Sequence, residues 1–349
     1  MNTSTALPEL LLTLISISTV AVVLVRIGTS FLRRKSAALR HFLWLLALSA
    51  PLVAPPLAWM HARIVIPLLP PVVEQLSSHD SILENQTAFQ PSAPVGTDRI
   101  SAVSIHSQVS APQAQSNKFV LPFNPWFGIW LFGATLIIVR IVVSQARVKR
   151  SVNEECSPGL ANLILRLNKA RHFFGFFPPV HIMTTPLTEI PFCYGIFHPT
   201  MIFPQSWHEW EDERIDICLT HELAHIIRGD LLAMLTGQVA CILCWFNPLV
   251  WFAASKLRDE AENVADDLVL ARNIRPETYA ANLVAITEKY RASALSPTIA
   301  LSMARPNRLK SRVEAILDST LLRKAPRLAT IVAVSALVFV PLITVMVVR

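Results

Sequence analysis

His221-Glu222-Leu223-Ala224-His225 is the stretch of this chain best suited to chemistry. A helical repeat of about 3.6 residues places both imidazoles on one face, with a carboxylate beside them. Two neutral nitrogens at this spacing can bind a divalent metal ion, and Glu222 can act as a general base toward a metal-bound water. The pattern is typical of a zinc protease. It predicts His221 and His225 as metal ligands and Glu222 as the catalytic residue.

A third ligand is required, because a catalytic zinc ion usually takes three protein ligands and keeps one position open. Glu262 and Asp266 are four residues apart in a segment, 257–267, that is rich in helix formers and lacks Gly and Pro. We expect Glu262 to be the third ligand. We expect Asp266, one turn later, to accept a hydrogen bond from a ligand imidazole and fix its tautomer. Glu260 is a weaker candidate, because the residue four positions on is Val264. The expected cofactor is one Zn²⁺ per chain.

The composition indicates a membrane protein, since the 349 residues are 52% hydrophobic and only 16% charged. Apolar stretches that approach or exceed the roughly 20 residues needed to cross a bilayer predict four transmembrane helices. These stretches are residues 7–25, 41–60, 126–143 and 328–348. The first is not expected to be a cleaved signal, because its basic residues follow the apolar run.

Basic residues that flank membrane spans are retained on the cytoplasmic side. They crowd the connection after the first predicted span and the region after the third, whereas residues 61–121 contain only three. We therefore expect the N-terminus outside and the region after the third span in the cytoplasm. All five cysteines lie between the third and fourth predicted spans, where a reducing cytoplasm would keep them as thiols.

These signals divide the chain into five parts. The region 61–121 includes a stretch rich in Ser, Gln, Ala and Pro and is expected to be a flexible outer loop. The net charge of +7 is attributed to the topology signals, and since no nucleic-acid motif is found we expect no direct nucleic-acid partner. The parts are 1–60 (first two spans and their basic connection), 61–121 (outer loop), 122–145 (third span), 146–325 (cytoplasmic metallopeptidase domain) and 326–349 (fourth span).

Within 146–325 the pattern predicts a helix over 158–174 and then a small sheet, with strands at 180–183, 192–194 and 201–203. His225 and Glu262 can meet at one ion only if the chain doubles back between them. Asn247-Pro248 is the expected turn, and a second bend is expected at Gly229 or Gly237. The intervening apolar segment 231–254 is long enough to enter the membrane, and its location stays open.

Three motifs in order support a resemblance: His221 to Asp230, Trp245 to Trp251, and Glu262 to Asp266. Together they resemble the antibiotic-sensor membrane zinc metallopeptidases of the BlaR/MecR type, strongly over 191–318 and more loosely in the four-span plan. The resemblance implies a mainly α membrane protein whose cytoplasmic α+β, zincin-like domain carries an H-E-x-x-H helix and a later E-x-x-x-D helix.

In that family a zinc endopeptidase in the bacterial inner membrane responds to an outside signal, and a transcriptional repressor is inactivated. The resemblance therefore implies a protein substrate, first a repressor and second the chain itself, and signal transduction across a lipid bilayer. Family members carry a penicillin-binding domain after the fourth span, whereas this sequence stops at Arg349 and contains no S-x-x-K motif. We expect no direct covalent sensing of a β-lactam.

Two alternatives stay open. One is a membrane quality-control zinc protease resembling the CAAX-protease and heat-shock families, against which the Trp245 to Trp251 string argues. The other is a non-catalytic receptor with a structural metal site, which would have no use for Glu222. Three residues remain candidates for stabilising the developing oxyanion, and Arg228 and Asp230 are expected to have structural roles. The three candidates are Tyr194, His198 and His208.

Overall fold

The computed structural model describes residues 3–61, 125–158, 161–175, 179–292, 306–323, 326–327 and 329–336. This part of the chain is mainly helical, with one small sheet between the fourth and fifth helices. The helices are α1 (Thr3–Phe31), α2 (Ala37–His61), α3 (Pro125–Glu155), α4 (Ala161–Phe174), α5 (Asp212–Arg228), α6 (Asp230–Leu243), α7 (Pro248–Leu270), α8 (Pro276–Ala292) and α9 (Pro306–Leu317).

Two of the described helices are long and apolar enough to cross a membrane, α1 over Leu11–Phe31 and α3 over Pro125–Arg150. The bent pair α5 and α6 would make a third if it formed one span, and the apolar part of α2, Ala37–Val53, is shorter. Most of the predicted fourth span, 328–348, and the predicted outer loop lie outside the described residues. The mainly helical class and the membrane-capable helices agree with the sequence analysis, and the count of four spans stays a prediction.

Helices α1, α2, α6 and α7 share one apolar core. Trp44 of α2 is almost fully buried and meets Phe252 of α7 edge to face, with ring centroids 5.8 Å apart. Leu48, one turn after Trp44, packs beside Gly237 of α6. The core therefore fixes α2 against the pair of helices that follows the H-E-x-x-H motif. Its buried members include Ile17, Ala21, Val22, Ala47, Ala240, Cys241, Cys244, Val250, Ala253 and Leu257.

Helix α3 is attached to the turn between α6 and α7 by two tryptophans. The Trp130 indole donates a hydrogen bond to the Leu243 carbonyl at 3.0 Å, and the Trp245 indole donates to the Trp130 carbonyl at 3.2 Å. Gly133 permits this close approach, because a Cβ there would overlap the Trp245 ring. The Trp-rich string of the sequence thus joins α3 to the helical hairpin.

The small sheet predicted before α5 is present. Its strands are β1 (Ser157–Pro158), β2 (His181–Thr185), β3 (Phe192–Tyr194) and β4 (Thr200–Pro204), in the spatial order β1-β2-β4-β3. Strand β2 runs parallel to β4, whereas β1 and β3 pair antiparallel with their neighbours. The helix expected from residue 158 begins instead at Ala161, because Ser157 and Pro158 pair with β2 as an edge strand. Proline lacks a backbone N–H, and an edge strand tolerates this because one of its sides is unpaired.

The chain changes direction at both places where the spacing required it. Gly229 ends α5 in the left-handed conformation, with φ 68°, and α6 leaves at an angle of 59° to α5. Gly237, the other candidate for the bend, lies inside α6. Asn247 begins α7 by accepting a hydrogen bond from the Leu249 amide at 3.0 Å, and Pro248 follows at the first helical position. As a result α7 runs back toward α5.

Candidate metal centre and active site

Helix α5 carries the H-E-x-x-H motif into the interior of the domain. Asp212 and Glu213 begin the helix, where acidic side chains oppose the helix dipole. One face of α5 packs on β4 and α4 through a buried apolar cluster that includes Leu219 and Leu223. Glu222 and His225 are both buried, at 7% and 8% exposure. One face of α5 is therefore held by the apolar cluster, whereas the residues of the H-E-x-x-H motif lie on another face.

His221, His225 and Glu262 converge at one point between α5 and α7. The two Nε2 atoms are 3.3 Å apart. Glu262 Oε2 lies 3.4 Å from His221 Nε2, and Oε1 lies 3.8 Å from His225 Nε2. Ligand bonds of about 2.0–2.1 Å in tetrahedral geometry would put ligand atoms about 3.4 Å apart. The three side chains are therefore close enough to bind one metal ion together.

The outer nitrogen of each imidazole faces a carboxylate. His225 Nδ1 lies 2.7 Å from Asp230 Oδ2, and His221 Nδ1 lies 3.3 Å from Asp266 Oδ1 and 3.2 Å from the Tyr279 hydroxyl oxygen. We infer that both Nδ1 atoms carry hydrogen, because a carboxylate accepts and cannot donate. Both Nε2 lone pairs then point at each other and at a carboxylate. This set of acceptors fits a cation, and the carboxylates are the partners that metal-binding histidines usually have.

Asp266 occupies the position at which the sequence spacing placed a partner for a ligand imidazole. It is 3% exposed, and it accepts two hydrogen bonds from Arg312, at 2.9 Å from Nε and 2.6 Å from Nη2. The Tyr279 hydroxyl donates a third at 2.5 Å. Arg312 Nη1 also lies 3.0 Å from Glu262 Oε2. The Arg312 guanidinium therefore contacts both carboxylates that flank His221, Glu262 at its Nε2 and Asp266 at its Nδ1.

Glu260, the weaker ligand candidate, faces another partner. Its carboxylate accepts a hydrogen bond from Arg40 Nε on α2 at 2.9 Å, with both side chains nearly buried. The structure thus gives the two glutamates of this turn different neighbours. Glu262 faces the imidazoles, and Glu260 joins α7 to α2.

Burial and charge shift the protonation of the site, which lies outside the two membrane-capable helices. Burial raises the pKa of Glu222, and the two neighbouring imidazoles oppose that effect. Burial acts in the same direction on Glu262 and Asp266, but Arg312 and His221 outweigh it and hold the pKa of each carboxyl far below its usual range. Burial lowers the pKa of His221, yet its contacts with Asp266 and Glu262 raise it to about 9. In the metal-free site His221 therefore carries a second proton near neutral pH, which a bound metal ion would have to displace from Nε2, while Glu262 and Asp266 are ionised.

A cavity of about 70 Å³ opens beside these groups. Its polar wall contains His221, Glu222 and Glu262, together with Tyr279 of α8 and Arg312 of α9, while the remaining wall is mainly apolar. This volume is large enough for a few water molecules next to Glu222. The arrangement can hold a cation, water and an acid–base group together in a partly apolar setting. The apolar wall is formed by Ile190, Pro191, Ile217, Cys218, Leu283 and Ile286.

The structure adds three residues that the sequence analysis did not assign to the site. Asp230 was expected to be structural, but its carboxylate contacts His225; the signal was its position just after Gly229, where a bend returns the chain to the helix end. Tyr279 and Arg312 come from later helices and were given no role, although both lie within the region 191–318 that carries the family resemblance. The lining of the described cavity includes none of the oxyanion candidates of the sequence analysis, and His198 and His208 are exposed.

Comparison with known proteins agrees with this geometry. Residues 10–316 match the family described as BlaR1 peptidase M56. The chain is 24% identical over 147 residues to the regulatory protein BlaR1 of Bacillus licheniformis, an overlap of 42% of this chain and 24% of that protein. It is 22% identical over 143 residues to the methicillin resistance mecR1 proteins of Staphylococcus aureus and Staphylococcus epidermidis, covering 41% of this chain and 24% of each relative.

The overlap therefore spans about a quarter of the length of these curated relatives. The family match is much longer and includes the membrane-capable helices, the sheet, both helices that form the site and most of α9. Because it extends over most of the chain, the protein belongs to the BlaR1-type peptidase M56 family.

Proposed function

We propose that this protein is a membrane-embedded zinc endopeptidase that cleaves a protein substrate on the cytoplasmic side of a bacterial inner membrane. The observation that carries the proposal is the convergence of two imidazole lone pairs and the Glu262 carboxylate beside the buried Glu222. Membership of a peptidase family supports the hydrolytic reaction. The acceptor set and its close spacing support zinc.

In this proposal His221, His225 and Glu262 hold the zinc ion and Glu222 is the catalytic residue. When bound, the ion would polarise the scissile carbonyl and make a neighbouring water more acidic. Glu222 accepts a proton from the attacking water and gives it to the leaving amine. Burial raises the pKa of Glu222, which makes its carboxyl a better proton acceptor and so favours its role as the base.

The surrounding residues keep the ligands in place. Asp230 and Asp266 accept hydrogen bonds from the outer imidazole nitrogens and so keep both Nε2 atoms free of hydrogen. Arg312 offsets the charge of Asp266 and Glu262, which would otherwise repel each other in a buried site. The ligand set is therefore organised by α6, α8 and α9 as well as by α5 and α7.

The proposed biological role is signal transduction to a transcriptional repressor, with the repressor as the first candidate substrate and the chain itself as the second. The similarity to the regulatory protein BlaR1 supports a signalling role. We further propose the four-span topology with the N-terminus outside and a zincin-like domain over 146–325. The apolar helices α1 and α3 and the basic residues after them support this orientation.

The test compares the wild-type protein, purified in detergent, with Glu222→Gln and with Glu213→Gln as a matched control on an exposed position of α5. We expect about one zinc per chain in all three proteins. Glu222→Gln should lower cleavage of the chain or of a co-expressed repressor by at least about 10²-fold, the usual contribution of a general base. Glu213→Gln should cleave at the wild-type rate.

Two results would overturn the proposal. The first is a wild-type protein that contains no stoichiometric divalent metal after purification without chelators. The second is a Glu222→Gln variant that gives the same N-terminal fragments at the same rate as the wild type. Retained signalling with no loss of cleavage would favour a receptor with a structural metal site.

A further inference from the structure

The first turn of α2 contacts both halves of the proposed metal centre. Arg40 and His41 are adjacent in sequence and point to different helices. Arg40 Nε donates to Glu260 Oε1 of α7 at 2.9 Å, and His41 Nε2 lies 3.7 Å from Asp230 Oδ1 at the start of α6. Glu260 is two residues from Glu262, and Asp230 contacts His225. His41 is therefore linked to the proposed ligand His225 through Asp230. Arg40 holds the turn of α7 that carries the proposed ligand Glu262.

The His41 branch is almost completely buried. The exposed fractions of the His41 and Asp230 side chains are 11% and 1%. The second carboxylate oxygen of Asp230 lies 2.7 Å from His225 Nδ1 and 3.1 Å from Arg228 Nη1. His41, Asp230 and His225 thus form a chain of polar groups from α2 to the metal centre. Among the described residues, Asp230 supplies the carboxylate that contacts Nδ1 of His225, whereas Glu262 faces its Nε2.

The contact between His41 and Asp230 is close but incomplete. Within the described residues, His41 Nε2 and Asp230 Oδ1 have no hydrogen-bond partner, although both atoms are buried. A buried polar atom without a partner is costly, so these two atoms should form a hydrogen bond when they can. Since an N–H···O bond spans about 3.0 Å, a movement of about 0.7 Å would complete it.

The Arg40 branch fixes the same helix end from the other side. Arg40 Nη1 donates to the carbonyls of Arg33 at 3.1 Å and Lys35 at 2.5 Å, while Nε holds Glu260. The guanidinium therefore joins the connection between α1 and α2 to the middle of α7. Because Trp44 and Leu48 also pack on α7 and α6, a displacement of α2 would be transmitted to both ligand-bearing halves.

We propose that Arg40 and His41 form a positioning clamp, by which α2 sets the geometry of the metal centre through Glu260 and Asp230. This inference rests on the proposed function and identifies how a membrane-side helix is coupled to that site. His41 is a positioning residue in this scheme, since it acts on His225 through Asp230. A shift of α2 by less than an ångström changes the hydrogen bonding of Asp230 and hence the orientation of His225.

The test uses the full chain in detergent, with zinc affinity measured by competition with a chromophoric chelator and ligand geometry by the visible spectrum of the Co²⁺-substituted protein. His41→Leu removes the polar group, while His41→Gln keeps a donor that can reach Asp230. Loss of a direct partner of a ligand histidine lowers metal affinity about 10–100-fold, so a group one step further out should cost roughly threefold to tenfold. We expect His41→Gln to recover most of that loss.

A double-mutant cycle separates this route from general damage to α2. If His41 acts through Asp230, His41→Leu should have little further effect on zinc affinity in an Asp230→Asn background. His172→Gln, at an exposed position of α4, is the matched histidine control, and Arg33→Gln is the control for Arg40→Gln. Neither control should change the Co²⁺ spectrum, whereas His41→Leu and Arg40→Gln should both change it.

The outcomes distinguish this inference from the proposed function. Wild-type protein without zinc or cleavage would remove the proposed function and with it the clamp. Wild-type protein with both, but with a His41→Leu variant of unchanged zinc affinity and Co²⁺ spectrum, would overturn the clamp alone. Fully additive losses in the cycle would also overturn it, because they would show that His41 and Asp230 act separately.

Discussion

Arg312→Met offers a sharp test of the charge balance around the proposed metal centre. Arg312 is 18% exposed in its side chain, donates to Asp266 at 2.6 Å and 2.9 Å, and lies 3.0 Å from Glu262. Removing one partner of a buried ion pair costs about 3–5 kcal/mol, because the other charge is left buried and uncompensated. Methionine keeps much of the volume of arginine. The expected loss of stability in the zinc-free protein therefore comes mainly from the buried carboxylates that are left without a compensating charge.

A bound dication should recover part of this loss, since it also faces Glu262. If zinc recovers half of the cost, the apparent zinc affinity of Arg312→Met rises by roughly tenfold to sixtyfold over the wild type. The increase in melting temperature on adding zinc should then be about 3–6 °C larger in the variant. A simple loss of packing would not increase the zinc affinity or the zinc-induced rise in melting temperature, so the direction of the change distinguishes the two explanations.

The assay is thermal unfolding with and without zinc after removal of metal by a chelator. Arg308→Met is the matched control on the same helix, because Arg308 pairs with Asp259 at 3.0 Å and donates to Ser255 at 2.8 Å, away from the imidazoles. Its zinc-induced shift should equal that of the wild type. An Arg312→Met shift equal to or smaller than the wild-type shift would refute the shared neutralisation of the two carboxylates.

Two further predictions concern the bend and the buried acid next to Asp266. Gly229→Ala should destabilise the protein by about 1 kcal/mol, because φ is 68° and a Cβ meets no atom within 4 Å, so the cost is conformational alone. Gly28→Ala, inside α1 and equally uncrowded, should be neutral or stabilising in the same thermal assay, and equal effects of the two changes would contradict this view. Burial raises the pKa of Asp267 from 3.8 to about 6, which Arg323 only partly offsets. The folded state therefore holds a proton that the unfolded chain releases, and stability from this group is lost as pH rises from about 4 through 6. Asp267→Asn should match the wild type below pH 4 and be about 1–3 kcal/mol more stable at pH 7.5. Unfolding curves at both pH values check this, and a less stable variant at pH 7.5 would contradict it.

Local patterns in the sequence were sufficient for much of the fold. The three predicted strands fall within β2, β3 and β4 or overlap them. The prediction succeeded because short runs of β-branched and aromatic residues bounded by Pro and Gly are typical of strands. The need for a second bend followed from distance alone, since His225 and Glu262 could not otherwise approach, and the structure places that bend at Gly229 and not at Gly237. Edge strand β1 was missed, because two residues carry too little pattern to separate a strand from the start of a helix.

The sequence by itself determined which groups could meet at the centre. Spacing by four residues places His221 with His225, and Glu262 with Asp266, on common helix faces whatever the rest of the chain does. The tertiary structure decided their partners. Asp230 faces His225 because Gly229 turns the chain, Arg312 reaches Asp266 from a helix 46 residues later, and His41 approaches Asp230 from α2. Contacts between distant segments depend on how whole helices pack, and the periodicity of one segment contains no information about the helix that will cover it.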